Sequence, residues 1–281
     1  MANWILHLWV KGEKDMIRKS EIPVSWFVCP ETKSPLIPRG DDLGSASGIY
    51  QKDRQWGFWN FIPSELKIFN KTRWDAWNTL QKNATIPYTE YAEQNLGVGP
   101  REDFLLFAEF CGFRGNVLDI GVGPQKCPTH IQYSNTPDVF FVGIDTLVGQ
   151  QPRDFAFAQA LGEYLPFNLE IFDQVLFVTS LDHFIEPIVA MREARRVLKP
   201  AGDMIIWLGE KDKNAPKHAK SPDWYRSLEI PEGAEDPFHF KRISISEFKQ
   251  LACAAEMNIV DEAIHPVDEW RKNCFYRLKK M

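Results

Sequence analysis

From residue 116 onward, short apolar bursts alternate with stretches in which apolar residues recur every three or four positions. The bursts are NVLDI (116–120), FFVGID (140–145), FAFAQA (155–160), FDQVLFVTS (172–180) and DMIIWLG (203–209), each of strand length. The clearest helical interlude is EPIVAMREARRVLKP (186–200). Alternation of this kind predicts a parallel sheet with helices on both faces. It stops near the C-terminus, where SISEFKQLACAAEM (244–257) reads as a helix and NIVDEAI and NCFYRLK read as two strands joined by HPVDEWRK, a closing antiparallel hairpin.

Upstream the pattern differs. The first 65 or so residues are bursts such as VSWFVCP and WGFWNFIP between turn-forming stretches such as RGDDLGSASG, which predicts a small antiparallel unit. NKTRWDAWNTLQKN (70–83) and REDFLLFAEFCGF (101–113) carry helical spacing, the second with Arg101, Glu102 and Asp103 in its first turn. The expected organisation is a β-rich module over 1–68 and an α/β domain over 69–281, with lead-in helices in 69–114. Residues 210–240 separate strand from helix by far more than the usual few residues, which marks a functional or mobile connection, here expected to be a substrate lid. Lys211, Lys213, Lys217 and Lys220 give it local positive charge, and Trp224 and Tyr225 offer rings to a planar or sugar acceptor. Five of the ten tryptophans fall between 26 and 77, expected as the core of the small module.

Composition narrows the function classes. With 44% hydrophobic and 25% charged residues in 281, the chain has the balance of a soluble globular protein. A net charge of -5 gives no global attraction to phosphate backbones, so a small-molecule partner is expected over nucleic acid. WILHLWV (4–10) is too short for a membrane span or signal core, so neither export nor anchoring is expected. The five cysteines are scattered without a CxxC pair, which points to reduced thiols in the cytoplasm and to no metal set.

The chemistry concentrates where the first apolar strand meets a glycine loop. Asp119, Gly121 and Gly123 end that strand, where missing β-carbons let a ligand approach backbone amides. Asp145 ends the next strand, placed to accept hydrogen bonds from two ribose hydroxyls. Loop and acid together fit a dinucleotide oxidoreductase or a methyltransferase. Asp119 separates the two, because a carboxylate beneath the loop repels a pyrophosphate and suits a cationic cofactor. Lys126, where a dinucleotide fingerprint would place its third small residue, argues the same way.

Read in order, VLDIGVGPQ (117–125), VGIDTL (142–147), EYLPF (163–167), FDQVLF (172–177), LDHFIEP (181–187) and EARRVLKPAG (193–202) resemble the class I S-adenosylmethionine (SAM)-dependent methyltransferases over roughly 100–281. The resemblance implies a Rossmann-like seven-stranded sheet and SAM as cofactor. It further implies that Asp119, Gly121 and Gly123 line the methionine half, that Asp145 binds the ribose, and that Thr146 and Leu147 lie by the adenine. The acid this family places before LPF is replaced by Leu161, leaving Gly162 and Glu163 as the positions expected there. Gln125 stands where the third loop glycine would be. Thr179 and Ser180 follow the strand that faces the methyl group, and Asp182 and His183 come next. His183, oriented by Asp182, and His239 on the substrate side are the candidate bases, each alternatively a packed and satisfied histidine. The segment WFVCPETKSPLIPRG faintly resembles the zinc-ribbon-like modules found beside some methyltransferases, with only Cys29 left of any metal set. The function expected is methyl transfer to an oxygen of a small molecule such as a sugar or secondary metabolite. The alternatives are an RNA-base methyltransferase and a non-catalytic SAM-binding scaffold.

Overall fold

The computed structural model describes residues 21–63, 71–91, 101–132, 138–212, 214 and 223–281. The WILHLWV stretch and Lys213, Lys217 and Lys220 lie outside the described residues. In chain order the strands are β1 (Ile37–Arg39), β2 (Asp42–Gly44), β3 (Ile49–Tyr50), β4 (Trp59–Asn60), β5 (Asn116–Ile120), β6 (Phe140–Asp145), β7 (Ala156–Gln159), β8 (Phe172–Val178), β9 (Leu198–Lys211), β10 (Met257–Pro266) and β11 (Arg271–Lys280). Four longer helices are α1 (Lys71–Thr85), α2 (Glu102–Cys111), α3 (Pro187–Val197) and α4 (Ile245–Ala254).

The apolar runs form the interior of one sheet of order β10-β11-β9-β8-β5-β6-β7-β4. β5 and β8 read almost continuously apolar because neighbours and helices cover them on every side, and all but their first or second residues are buried. β5, β6, β7, β8 and β9 pair in parallel, while β11 pairs antiparallel with both β9 and β10, which is the C-terminal hairpin expected. These seven strands make up the seven-stranded sheet that the sequence resemblance implies. The chain order reverses at β5, whose neighbours are β6 on one side and β8 on the other, so the crevice of an open α/β sheet lies at its carboxyl end.

Local sequence accounts for the helices that frame this crevice. α3 starts on Pro187 at its first turn, buries Ala190, Met191, Ala194 and Val197 along one face, and ends with Arg195 and Arg196 where the helix dipole favours cations. α4 starts in a capping box of Ser244 and Glu247 and buries Phe248 and Ala252 one turn apart. Among the described residues no helix is long and apolar enough to cross a membrane.

An eighth strand comes from the N-terminal segment. β4 pairs in parallel with β7, and Phe61 N–H extends the contact to the Gln159 carbonyl at 2.8 Å. β1, β2 and β3 form their own antiparallel sheet, yet among the described residues the module's buried side chains belong to a core shared with the main sheet. Phe27, Tyr50, Trp59 and Phe61 belong to the same buried cluster as Leu118, Ile144 and Phe172. The tryptophan excess, expected to give the module its own core, works as an adhesive instead: Trp26 sets its edge against Phe140 and Phe172 of the main sheet, at ring distances of 5.6 and 5.7 Å. Lys33 adds an ion pair of 2.5 Å to Glu193 on α3. A module this small buries too little by itself, and the shared core resolves that shortage.

Phe27 is 3% exposed, stacks on Phe167 and packs at a tilt against Phe61, so it joins module to domain. Phe27→Ala is expected to destabilise the whole chain by about 3–5 kcal/mol in one cooperative urea transition. Two transitions, with only the earlier one displaced, would show instead that the module folds by itself.

Candidate functional site

Beyond the carboxyl ends of β5, β6 and β8 opens a cleft of about 1000 Å³ including its mouth, the size of an ordinary cofactor or substrate pocket. Asp119, Gly121, Gly123, Asp145, Thr146, Leu147, Gly162, Glu163, Thr179, Ser180 and His183 all line it. Asp182 and His239 stand immediately behind His183. The residues singled out from the sequence therefore converge on one place.

The floor is set by a close approach. Gly121 has φ of 78°, and a β-carbon there would lie 2.6 Å from that of Ser180, so only glycine fits between the two strand ends. Ser180 donates its hydroxyl to the Ile120 carbonyl at 2.6 Å, fastening the loop after β8 to the end of β5. Thr179 holds φ of 54°, a left-handed conformation that β-branched residues rarely adopt, and so turns the chain sharply at the cleft.

Asp119 is fully buried and accepts on Oδ2 from His130 Nε2 at 2.7 Å, while its Oδ1 has no partner among the described residues. His130 was not anticipated. It sits in the short helical turn Thr129–Gln132 with its ring stacked on Phe104. The signal available was indirect: a buried carboxylate needs a partner, and CPTH supplied the nearest imidazole.

Asp145 accepts from Gly123 N–H on Oδ2 and from Leu147 N–H on Oδ1, both at 2.7 Å. Burial raises its pKa, and these amides together with the nearby Arg153 charge oppose the rise. Thr146 donates its hydroxyl to Gln81 Oε1 of α1 at 2.6 Å, so the lead-in helix is held over the cleft. Tyr88, just past that helix, also lines the cleft. Tyr91 instead stacks on Trp224 at 5.6 Å, and Tyr225 leans on Phe238, so these rings of the 210–240 connection pack on their neighbours.

Arg153 explains how the loop turns with Gln125 in place of a glycine. Its buried guanidinium donates to the carbonyls of Gly123 at 2.6 Å, Gln125 at 3.1 Å and Leu147 at 2.9 Å, and lies 3.8 Å over the Phe157 ring. Burial lowers its pKa to about 10, which leaves it charged at neutral pH. The sequence reading passed over Arg153 because nothing local marks a residue that acts on a loop 28 positions away.

Glu163 is 3% exposed, and its Oε1 accepts from the Ile185 and Glu186 amides at 2.7 and 3.1 Å, ahead of α3. One of its oxygens is thereby committed to the protein. Burial raises its pKa to about 7 against those hydrogen bonds.

At the far wall, His183 Nε2 and His239 Nε2 lie 3.2 Å apart. His183 Nδ1 faces the Phe238 carbonyl at 3.3 Å, and His239 Nδ1 faces Asp236 Oδ1 at 2.7 Å. Asp182 Oδ2 is 3.7 Å from His239 Nε2. Burial lowers the His183 pKa, with Asp182 opposing, so its imidazole is neutral near pH 7. Asn83 of α1 ties the segment carrying His239 in place by donating to the Glu229 and Pro237 carbonyls at 2.7 and 2.8 Å.

Residues 118–206 match the family model described as methyltransferase domain. Over these residues, less than half of its length, the chain is similar to that domain. A curated relative, the uncharacterized protein YafE of Escherichia coli (strain K12), is 30% identical over 140 residues, half of this chain; the match spans 64% of that relative. Among solved structures, Haemonchus contortus phosphoethanolamine N-methyltransferase 2 in complex with SAM has a TM-score of 0.52 at 13% identity, covering 78% of this chain and 61% of that one. Burkholderia thailandensis 1,6-didemethyltoxoflavin-N1-methyltransferase, bound to 1,6-didemethyltoxoflavin and S-adenosylhomocysteine, has a TM-score of 0.50 at 13% identity, covering 86% and 100%. At such identity these two establish the fold alone.

The raised pKa of Glu163 makes a pH-dependent prediction. A folded value near 7 against about 4.5 unfolded means that the native state holds the extra proton, so the carboxyl costs nothing below pH 4.5 and destabilises progressively as pH rises through 7. Glu163→Gln keeps an acceptor for the two amides and removes the ionisation. Relative to the parent, its urea-unfolding stability is expected to improve by about 2–3 kcal/mol between pH 5 and pH 8. A difference that does not change with pH would contradict this account.

Proposed function

We propose that the methyltransferase domain transfers a methyl group from SAM to an oxygen of a small molecule, such as a sugar or secondary metabolite. The observation that carries the reading is the buried, unpartnered Oδ1 of Asp119 at the floor of the cleft. An isolated acceptor of this kind calls for a donor from a ligand, and the ammonium of SAM fits it. Asp145 retains lone pairs for ribose hydroxyls beyond the two amides it accepts. When bound, SAM supplies an electrophilic methyl on a sulfonium.

The protein's own part is mostly positional. Gly121 and Gly162 let Ser180 and Phe184 pack directly on the backbone at the cleft wall, where a β-carbon would strike them. Arg153 fixes the loop from behind, so that donor and acceptor meet in a geometry already set. On the acceptor side, neutral His183 lines the cleft beside Asp182 and His239 and is placed to take a proton from a hydroxyl. The two solved structures compared above are N-methyltransferases by name; the oxygen acceptor proposed here rests on this imidazole cluster. The five unpaired cysteines accord with a cytoplasmic setting, and the net charge of -5 with a small acceptor over nucleic acid.

Calorimetry with SAM and with S-adenosylhomocysteine tests the cofactor half. The parent chain is expected to bind both, and Asp119→Asn and Asp145→Asn to weaken SAM about 10–100-fold, the worth of a charged hydrogen bond. Silence of the folded parent toward both ligands would remove the assignment. With an acceptor in hand, His183→Ala and His239→Ala are expected to lower turnover at saturating substrate by about 100-fold or more; unchanged turnover in both would leave positioning as the whole mechanism.

A further inference from the structure

Two imidazoles that meet nitrogen to nitrogen beside a carboxylate need something between them, either a proton or a cation. The Nε2 atoms of His183 and His239 are 3.2 Å apart, and the opposite nitrogen of each ring is already engaged. The Phe238 carbonyl beside His183 Nδ1 can only accept, and so can the Asp236 carboxylate beside His239 Nδ1. Both Nδ1 atoms therefore carry hydrogen. The two Nε2 atoms thus face each other, and Asp182 Oδ2 adds a third possible ligand atom 3.7 Å from His239 Nε2. Three possible ligand atoms converge where His239 is 4% exposed, a cluster that either a shared proton or a cation can hold together.

We propose that Asp182, His183 and His239 form the binding site of a single first-row divalent cation, with its remaining coordination positions open to the cleft. Metal–nitrogen and metal–oxygen bonds of about 2.0–2.2 Å place the ligand atoms of one ion about 3–4 Å apart. Here the donor atoms all lie within 4.8 Å of one another, with two of the separations already at 3.2 and 3.7 Å. The outer partners also match: metal-bound imidazoles donate their other N–H to a carboxylate or a backbone carbonyl, as His239 does to Asp236 and His183 to Phe238. Two imidazoles and one carboxylate suit zinc, cobalt, nickel or iron better than magnesium or calcium. Arg242 reaches Asp236 at 3.0 Å and Asp182 at 4.0 Å, but one cation against two carboxylates leaves the cluster negative.

No spacing motif announces the site, because its ligands come from the turn after β8 and from the connection that precedes α4. Cation binding stands on this geometry alone. Its use in catalysis rests on the methyl-transfer reading: with a cation in place His183 is a ligand and no longer the base, and an acceptor hydroxyl coordinated beside it would lose its proton more readily, with the proton leaving to solvent and the oxygen held for attack.

The experiment is a Co²⁺ titration of the full chain after dialysis against a chelator, followed by visible absorption and by thermal melting. The expected result is one Co²⁺ per chain with ligand-field bands of a nitrogen and oxygen site, and a transition temperature that rises with Co²⁺. His239→Ala and Asp182→Asn are expected to weaken this binding at least 100-fold and to lose the thermal shift, while Asp236→Asn, one step removed, weakens it about 10–100-fold. Melting without metal reports whether each variant is folded, and either of the first two suffices for the comparison. Asp145→Asn is expected to keep Co²⁺ binding intact, so a failed cofactor assignment and a failed metal assignment read separately. The proposal is overturned if the folded parent takes up no Co²⁺, if uptake is the same in both His239→Ala and Asp182→Asn, or if the spectrum is that of cobalt–thiolate binding at the cysteines. In each of those cases a shared proton, rather than a metal, joins the two imidazoles.

Discussion

At Gly121 the ends of β5 and β8 come so near that the missing β-carbon is what allows them to meet, and the Ser180 hydroxyl then locks the two together through the Ile120 carbonyl. The strands diverge beyond that point, since β6 continues on the other side of β5. Everything that follows depends on this fork. The loop after β5 must rise over Asp145, which receives the Gly123 amide, and the loop after β8 must turn away through the left-handed Thr179. Between them the backbone itself lines a cleft, and the carboxylates of Asp119 and Asp145 are brought under one ligand-sized space.

The residues at the fork could be read from the chain because the constraints that choose them are local. A glycine after an apolar strand, an acid at the end of the next, and a burst of strand length between helical stretches each follow from the conformation of a few neighbouring residues. Arg153, His130 and Gln81 escaped for the opposite reason. Each is defined by a partner 11 to 65 positions away, the Gly123 and Gln125 carbonyls, Asp119 and Thr146, and no spacing rule ties such pairs together. The N-terminal module shows the same limit at the level of packing. Its strands were visible as turn-bounded bursts, but that its aromatic side chains would face Phe140, Phe167 and Phe172 is a property of the docked surfaces and not of either segment.

Arg153 also shows how a departure from a family pattern is accommodated. A third glycine would let the loop turn by backbone freedom alone. Here Pro124 and Gln125 occupy that stretch, and the Gly123 and Gln125 carbonyls converge on a single buried guanidinium stacked over Phe157. The turn is imposed from outside instead of being permitted from within. Such a loop has fewer alternative conformations to lose when a ligand arrives, which lowers the entropic cost of binding.

The two ends of the cleft are built on different principles. The inner end is made of carboxylates on strand ends, positioned by the sheet and rigid with it. The outer end joins a turn after β8 to a connection that crosses from β9 to α4, held by Asn83 of α1 and by the pairing of Asp236 with His239. Its geometry therefore depends on helix α1, on the 223–243 connection and on β8 at once. The far wall is thus assembled from three elements that must be in register, whereas the carboxylate floor is set by the strand ends. That asymmetry gives a physical reason why the floor is legible from local sequence and the far wall appears only once the chain is folded.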